Sequence, residues 1–430
     1  MSLLIWIPWF LLLVTVALFG WVLYTYIFRG THIVGTEEIE DGDAAADSAS
    51  EVFVDLVEAT TNLTFSPGNA VDVFHDNERF FDALFDAMRC ARSLLTWHVF
   101  FFKPGPLADR VADALIERAS AGVRVRFLHD AYGSKGTPPE FFERLRRSGV
   151  EVNVFRPFTW RSLYKAQQRM HVRSVVIDGR VGFTGGFGIA EEWDGPRGRA
   201  WRDTNLRVRG PIVRELQASF VSNWAEACGR LITGNAVFPD LGRHSAGAIE
   251  AAVLFSSPAV GTTAAERFLV GLIARARERL LISTGYFVPD RRFRAQLREA
   301  VARGVDVQVL TPGRNTDQPP SFHAGAELYE ELLRGGVRIH HYRPTMMHAK
   351  TFVVDRDLAA VGTLNFDNRS VELNDEVLTV IRDRGITEDL AHAFAEDREL
   401  SDPVDLEWVR NRSFGDRMKG KLARRITRLL

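Results

Sequence analysis

One eight-residue pattern occurs twice in the chain, and this repeat limits the possible folds more than any other feature. The second copy occupies residues 348–355 and is followed by a glycine turn at 362–365. The first copy occupies residues 171–178, is followed by a turn at 185–188, and lies 177 residues earlier without a gap. In each copy a hydrophobic run predicts a strand, and the histidine and the basic residue two positions later share one face of it.

The similarity between the two parts of the chain extends well beyond these motifs. Runs with a helical period lead into short apolar runs in the same order in both parts. The matched segments are 80–102 with 268–288, 107–128 with 293–310, and 149–157 with 336–344. Alternating helices and strands predict a layered α/β sheet with helices on its faces. Two such halves, related by an approximate twofold axis, could bring His171 and His348 into one cleft.

The first 29 residues are predicted to form a transmembrane anchor. Residues 1–28 carry no charged side chain, and the apolar run from Leu3 to Phe28 is long enough to cross a bilayer with some tilt. A cleaved signal peptide would need a basic start, a shorter apolar region and a small-x-small cleavage site, none of which is evident. Arg29 favours a cytoplasmic position for the part of the chain that follows.

Charge and composition predict the remaining boundaries. The net charge is −1, but positions 37–58 hold nine acidic residues and no Lys or Arg. We therefore expect a solvated acidic linker at 30–70, followed by one half at 71–245 and a second half at 246–400. Two cysteines provide neither a disulfide framework nor a cysteine-based metal site.

The last segment, 401–430, is predicted to be a basic amphipathic tail. Phe414, Met418, Leu422 and Ile426 recur every four residues. The basic residues around them are Arg417, Lys419, Lys421, Arg424, Arg425 and Arg428. Such a helix can lie on an anionic membrane surface. The alternative is a helix that packs on the body of the protein and leaves a solvated basic face.

The repeated motif resembles the HxKxxxxD motif of the phospholipase D superfamily, in which Gly-Gly/Ser-x-Asn follows. The second motif matches fully, whereas the first has Arg173 in place of lysine and Gly188 in place of asparagine. Within that superfamily, residues 70–400 are most similar to bacterial cardiolipin synthases. The stretches that carry this likeness are 201–203, 210–211, 286–290, 303–307, 347–350 and 365–370.

The resemblance implies two α/β halves that share one active site without a metal or another cofactor. His171 and His348 would be the nucleophile and the general acid, in an order that the sequence leaves open, with a phosphohistidine intermediate. This chemistry needs imidazoles with a pKa near neutrality. Arg173 and Lys350 would hold the phosphoryl oxygens and Asn365 would add a donor. The carboxylates of Asp203 and Glu376 would orient the histidines, and those of Asp178 and Asp355 are expected to anchor turns.

The same resemblance implies a membrane enzyme that acts on phospholipid and not on nucleic acid. It would transfer a phosphatidyl group from one phosphatidylglycerol to the hydroxyl of another, and release glycerol. Two alternatives stay open. A phospholipase D hydrolase would use water and yield phosphatidic acid. A lipid-binding pseudoenzyme is suggested by the departures at Arg173 and Gly188. The sequence predicts no oligomeric state.

Overall fold

The computed structural model describes residues 3–27, 33, 48–159, 165–240, 245–259 and 261–425. Its α-helices are α1 Leu3–Ile27, α2 Ser48–Thr61, α3 Asn77–Arg89, α4 Pro106–Ser120, α5 Pro139–Arg147, α6 Ile212–Cys228, α7 Ala264–Arg275, α8 Arg291–Ala302, α9 Pro319–Ala326, α10 Tyr329–Arg334, α11 Arg384–Glu399, α12 Leu406–Arg410 and α13 Phe414–Ala423.

The β-strands are β1 Ser66–Phe74, β2 Leu94–Val99, β3 Arg124–Asp130, β4 Glu151–Phe155, β5 Ser174–Ile177, β6 Val181–Gly185, β7 Asn205–Arg209, β8 Ile249–Ser256, β9 Arg279–Ser283, β10 Phe287–Val288, β11 Asp306–Pro312, β12 Arg338–Tyr342, β13 Thr351–Val354, β14 Leu358–Gly362, β15 Phe366–Asp367, β16 Glu376–Arg382 and β17 Ser401–Val404. A short 3₁₀ helix at Glu191–Trp193 and a π-helical turn at Arg369–Leu373 also form.

A single mixed sheet of fifteen strands runs through the described part of the chain. Its order is β17-β12-β11-β9-β13-β14-β16-β8-β1-β7-β6-β5-β2-β3-β4, and β10 pairs separately with β15. Read outward from the central β1–β8 pair, both halves have the same strand order, and β17 extends one edge. Since β1 and β8 are antiparallel, the halves are related by an approximate twofold axis at this pair. This arrangement confirms the predicted α/β fold with two repeated halves.

A shared hydrophobic core fixes the two halves to each other. One cluster contains Leu206 and Val208 of the first half together with Val253, Val377 and Ile381 of the second. Two further clusters belong mainly to one half each. Side chains on β7, β8 and β16 therefore pack as they would inside one domain, and burial of this apolar surface stabilises the joint arrangement.

The last residue of each repeated motif holds the turn behind its strand. Asp178 follows β5 with φ of 51°, and Asp355 follows β13 with φ of 52°. The Asp178 carboxylate accepts hydrogen bonds from the backbone N–H groups of residues 92–94, and that of Asp355 from those of residues 277–279. Aspartate tolerates this left-handed conformation because its short side chain bonds to nearby backbone. Both carboxylates thus tie a turn to the strand next to it.

The predicted acidic linker at 30–70 is wrong for its second part. Residues 48–61 form α2, in which Phe53 and Val57 are buried against the core of the second half, and β1 begins at Ser66. The two apolar side chains are four residues apart and share one helix face, so α2 buries a stripe despite its acidic composition. The rest of the predicted linker, apart from Ile33, lies outside the described residues.

The predicted tail also begins later than expected. Residues 401–404 form β17, which pairs with β12, so the sheet continues past the boundary at residue 400. Helix α13 forms within the predicted amphipathic segment. Ile426 and Arg428, the last members of that pattern, lie outside the described residues.

The predicted transmembrane anchor is not supported. A helix does form at Leu3–Ile27, and the structure describes its side chains from Trp6 to Trp21. Within the residues that the structure describes, no helix is long and apolar enough to span a membrane.

Candidate functional site

Both motif histidines lie where the two halves meet. His171 and Arg173 come just before β5, and His348 and Lys350 just before β13. The backbone N–H of His171 donates to the carbonyl of Asp375 at 2.9 Å, and that of His348 to the carbonyl of Arg202 at 2.7 Å. Each histidine is therefore held by backbone from the opposite half. The histidines precede their strands instead of lying on them as predicted.

Each imidazole is also oriented by a carboxylate of the opposite half. Nδ1 of His171 lies 2.8 Å from Oε1 of Glu376, and Nδ1 of His348 lies 2.8 Å from Oδ2 of Asp203. All four side chains are buried. The predicted histidines and carboxylates thus form two crossed pairs within one cluster, and neither half contains a complete pair of its own.

The guanidinium of Arg173 fixes the tautomer of His171. Its Nη2 lies 3.0 Å from Nε2 of His171, and its Nη1 donates to the His171 carbonyl at 2.8 Å. Because a guanidinium can only donate, Nε2 of His171 must accept with its lone pair. The proton of this imidazole therefore sits on Nδ1 and is donated to Glu376. Arg173 thereby covers the lone pair that a nucleophile would use.

Lys350 and Asn365 border a small space beside His348. A Cβ placed on Gly285 would lie 3.5 Å from Nζ of Lys350, 3.5 Å from Cδ2 of His348 and 3.2 Å from Oδ1 of Asn365. Glycine at this position leaves room next to these three side chains. The ammonium of Lys350 donates to the carbonyl of His348. Of the three atoms nearest this position, only Nζ of Lys350 can donate to an anion, since Oδ1 of Asn365 is an acceptor and Cδ2 of His348 is a carbon.

The charges in the site keep both histidines neutral. Burial, followed by the nearby cation of Lys350, lowers the pKa of His348 to about 3. Burial and Arg173 also lower the pKa of His171 well below its ordinary value. Burial lowers the pKa of Lys350 to about 7, so this side chain loses its proton readily near neutral pH. A bound anion would reverse these shifts, because it would stabilise every positive form nearby.

The two orienting carboxylates differ in charge. Burial opposes ionisation of Asp203, but His348 and Lys350 outweigh it and lower the pKa of Asp203. Burial raises the pKa of Glu376 to about 8, although the Thr363 hydroxyl donates to it. At neutral pH the carboxylate of Asp203, which pairs with His348, is therefore ionised. The carboxyl group of Glu376, which pairs with His171, is mostly protonated. This asymmetry suits His348 for carrying a positive charge.

The missing asparagine of the first motif is explained by a tryptophan. A Cβ on Gly188 would lie 2.8 Å from the ring of Trp193, so a larger residue does not fit there. Nε1 of Trp193 donates to Oδ2 of Asp203 at 2.9 Å, and its ring meets that of His348 edge-on at 5.1 Å. Trp193 thus occupies the place of a side chain at position 188 and supports the Asp203–His348 pair.

Sequence reasoning gave no role to two further features next to the site. The hydroxyl of Tyr286 donates to Asp317 at 2.8 Å, and the Asp317 carboxylate slightly offsets the burial that lowers the pKa of Lys350. The ring of Phe100 meets that of His171 at 4.9 Å and lies 5.5 Å below the Arg173 guanidinium. The one sequence signal for Tyr286 is its place in a stretch that resembles cardiolipin synthases. No sequence signal distinguishes Phe100 from the other aromatic residues of the predicted core.

Among the described residues, no group of three or more His, Cys, Asp or Glu side chains could hold a metal ion. The chemistry that the site offers is that of two imidazoles, two cations and an amide. Two imidazoles with lone pairs at Nε2 can exchange roles as nucleophile and proton carrier, while the cations neutralise an anionic group.

Comparisons with known proteins identify the family of the chain. The family model described as "Cardiolipin synthase, PLD-like domain" matches residues 84–224 and 269–398, one segment in each half. Cardiolipin synthase A of Pseudomonas aeruginosa (strain LESB58) is 38% identical over 363 residues, which cover 83% of this chain and 72% of the relative. Cardiolipin synthase of Oceanobacillus iheyensis is 32% identical over 368 residues, covering 85% and 76%.

Two solved structures share the fold at low sequence identity. A phosphatidylserine synthase from Haemophilus influenzae aligns with a TM-score of 0.67 at 13% identity, over 90% of this chain and 100% of that one. A polyphosphate kinase from Porphyromonas gingivalis aligns with a TM-score of 0.54 at 12% identity, over 79% and 49%. The family match over both halves and the similarity to full-length relatives lead to one conclusion: the chain belongs to the cardiolipin synthase family of phospholipase D-type phosphatidyltransferases.

Proposed function

We propose that the protein joins two phosphatidylglycerol molecules into cardiolipin and releases glycerol, through a phosphohistidine on His171. The observation that carries this proposal is the pair of crossed imidazole–carboxylate contacts within one buried cluster that also holds Arg173 and Lys350. The names of the relatives support the choice of product. Because phosphatidylglycerol resides in bilayers, we infer that the protein works at a membrane.

In the first step, the lone pair on Nε2 of His171 attacks the phosphorus of one phosphatidylglycerol. The bond from phosphorus to the oxygen of the headgroup glycerol breaks as the new phosphorus–nitrogen bond forms. Nε2 of His348, protonated once the anion is bound, gives its proton to the departing oxygen, so glycerol leaves neutral. Arg173 moves from the imidazole to a phosphoryl oxygen, and Lys350 holds another.

In the second step, a headgroup hydroxyl of another phosphatidylglycerol attacks the phosphorus. Its proton goes to Nε2 of His348, which has just become a base, and the phosphorus–nitrogen bond breaks. Cardiolipin forms and His171 returns to its starting state. Water in place of the lipid hydroxyl would give phosphatidic acid, so the competition between these two acceptors separates a synthase from a hydrolase.

One difference between the two histidines supports His171 as the nucleophile. Both have a lone pair on Nε2, but His348 is paired with a carboxylate whose pKa is low, and an ionised partner stabilises the imidazolium that a general acid must form. The departures at Arg173 and Gly188, which suggest a pseudoenzyme, both have defined contacts inside the cluster. They are therefore poor evidence for lost activity.

The proposal is tested with the purified full chain and vesicles of phosphatidylglycerol, followed by lipid analysis. Cardiolipin and glycerol in equal amounts are expected. Phosphatidic acid without cardiolipin would identify a hydrolase, and unchanged lipid would reject enzymatic activity on this substrate.

The roles of the two histidines are tested with a phosphodiester whose leaving group, p-nitrophenolate, needs no proton. With this substrate, His348→Ala should carry out the first step at nearly the rate of the parent protein, because the leaving group needs no general acid. His171→Ala should stay inactive. The opposite pattern would exchange the two roles.

A further inference from the structure

Helix α13 is attached to the body of the protein by its smallest residues. Gly420 packs so closely on α9 that a Cβ there would lie 2.8 Å from the carbonyl oxygen of His323. Ala423 joins a small apolar cluster with Val288, Ala324 and Leu328. Small side chains such as those of glycine and alanine let two helices approach this closely. The small-residue face of α13 is therefore its docking face to the protein.

The large apolar side chains of α13 point the other way. Phe414, Met418 and Leu422 follow one another at intervals of four residues and are 80%, 50% and 68% exposed. Residues at this spacing lie above one another on one helix face. We call these three side chains the α13 stripe. A continuous row of exposed apolar side chains marks an interaction surface, since water solvates it poorly.

The charges around the α13 stripe indicate what it contacts. Residues 414–425 contain five basic side chains and a single acidic one. That acidic residue, Asp416, lies 2.9 Å from Arg314 and is thus already compensated. A second copy of this chain would bring like charges together, which is unfavourable. An anionic lipid surface instead attracts the basic residues and accepts the apolar row.

We propose that the α13 stripe inserts into the surface of an anionic phospholipid bilayer and holds the active site at that surface. The identity of the lipid as substrate rests on the proposed function, whereas the docking itself does not. This proposal combines the two alternatives from the sequence, because α13 packs on the body and also presents an apolar face flanked by bases.

The position of α13 links this surface to the reacting groups. Its partner helix α9 supplies Ser321 and Phe322 to a small pocket that is also lined by Gly285 and Tyr286. Gly285 in turn borders His348 and Lys350. The contacts therefore connect α13 to the catalytic cluster through α9 and this pocket.

The docking is tested with an environment-sensitive fluorophore on the full chain. Met418→Cys is labelled in a Cys90→Ser, Cys228→Ser background, since both native thiols are free. Leu231→Cys, at a side chain that is 73% exposed in the first half, serves as the matched control. Vesicles containing phosphatidylglycerol should raise and blue-shift the emission at position 418 but not at 231. Phosphatidylcholine vesicles should have a much smaller effect, and salt should weaken the response.

Three results would overturn the proposal. The first is unchanged emission at 418 while the chain co-sediments with the vesicles, because another segment would then do the binding. The second is an equal response at 231. The third is a rise at 418 without vesicles that grows with protein concentration, which would identify a second copy as the occupant.

A second variant separates this inference from the proposed function. Replacing the three residues of the α13 stripe by serine should lower turnover of vesicle phosphatidylglycerol by about tenfold or more, since membrane binding is lost. Turnover of a short-chain, monomeric phosphatidylglycerol should stay within about twofold, because the catalytic cluster is untouched. Equal turnover of vesicle lipid by variant and parent would refute the docking. Vesicle binding through α13 without any turnover would refute the proposed function alone.

Discussion

Nδ1 of His348 lies 2.8 Å from Oδ2 of Asp203, although 145 residues of chain separate the two and they belong to different halves. The corresponding contact, between His171 and Glu376, crosses the boundary in the opposite direction. The site therefore exists only when both halves are folded and joined. The two contacts differ in one respect, because the pKa of Asp203 is lowered and that of Glu376 is raised.

Asp203→Asn should cost far more activity than Glu376→Gln. Both amides can still accept a hydrogen bond from Nδ1, but only the first substitution removes a carboxylate that is ionised at neutral pH. We expect Asp203→Asn to lower kcat on the order of 10²-fold or more, and Glu376→Gln to lower it by about tenfold or less. Initial rates at pH 7 test this difference. Equal losses in the two variants would mean that the charge asymmetry plays no part in catalysis.

Anion binding should take up a proton. Since burial lowers the pKa of Lys350 to about 7, its ammonium is partly deprotonated before the anion arrives and charged afterwards. Affinity for the soluble headgroup glycerophosphoglycerol should therefore fall above pH 7, by up to about tenfold per pH unit. Calorimetry in buffers of different ionisation enthalpy measures the proton uptake.

Lys350→Arg is the control for this experiment, because arginine keeps its charge at all pH values tested. Its binding should take up one proton fewer than binding to the parent and depend less on pH, with the remaining dependence due to His348, which also gains a proton when the anion binds. A parent protein that binds equally well at pH 7 and pH 9 would show that Lys350 is already charged in the free site.

Arg173→Lys should keep or raise the rate of the reaction. A lysine can still hold a phosphoryl oxygen, but all its donors sit on one nitrogen, whereas Arg173 reaches the His171 carbonyl and Nε2 with two separate nitrogens. The lone pair of His171 would then be exposed, and diethyl pyrocarbonate should modify it faster. Steady-state rates and the rate of modification are the measurements. A complete loss of activity would show that the guanidinium fork is required.

Restoring the family's asparagine by Gly188→Asn should destabilise the protein. The new side chain would overlap the ring of Trp193, which is 2.8 Å from the position of the added Cβ. Overpacking of this kind costs about 1–3 kcal/mol, which should appear as a lower Tm in a thermal scan. Gly136→Ala, where a Cβ meets nothing within 4 Å, is the matched control and should leave Tm nearly unchanged. A Gly188→Asn variant with parental Tm would mean that Trp193 moves aside at little cost.

Helix α2 should contribute strongly to stability. Phe53→Ala removes a ring that is 3% exposed within the core of the second half, which typically costs about 3–5 kcal/mol. Val52→Ala, at a side chain that is 50% exposed on the same helix, should change stability by about 0.5 kcal/mol or less. Urea unfolding measures both. Similar midpoints for the two variants would support the flexible linker that the composition predicts.

The sequence predicted the two halves and the members of the site because the repeat keeps its spacing. It could not predict which carboxylate faces which histidine. Asp203 and Glu376 each follow the histidine of their own half, so spacing alone favours contacts within a half. The crossed pairs arise from the antiparallel contact of β1 with β8, which sets one half against the other.

The departures from sequence expectation have similar physical causes. From the sequence, Gly188 indicates that the first motif lacks the contact of an asparagine. In the structure the ring of Trp193 fills that space, and Trp193 lies five residues later with no counterpart in the second motif. The acidic composition of residues 37–58 predicts a linker, whereas the spacing of four between Phe53 and Val57 is typical of a buried helix face, and the structure follows the spacing. In both cases the decisive information is three-dimensional packing.

The backbone ladder between β1 and β8 has a mechanical consequence. An enzyme with two lobes often admits its substrate by hinge bending. Here the sheet continues from one lobe to the other, with a register shift at the β1–β8 pair, and the shared core packs across the seam, so such bending is resisted. Access to the lone pair of His171 then depends on rotation of the Arg173 side chain that covers it. Such a rigid site suits the proposed reaction, which expels a three-carbon alcohol and retains a bulky diacyl group, because it selects by size without a moving lid.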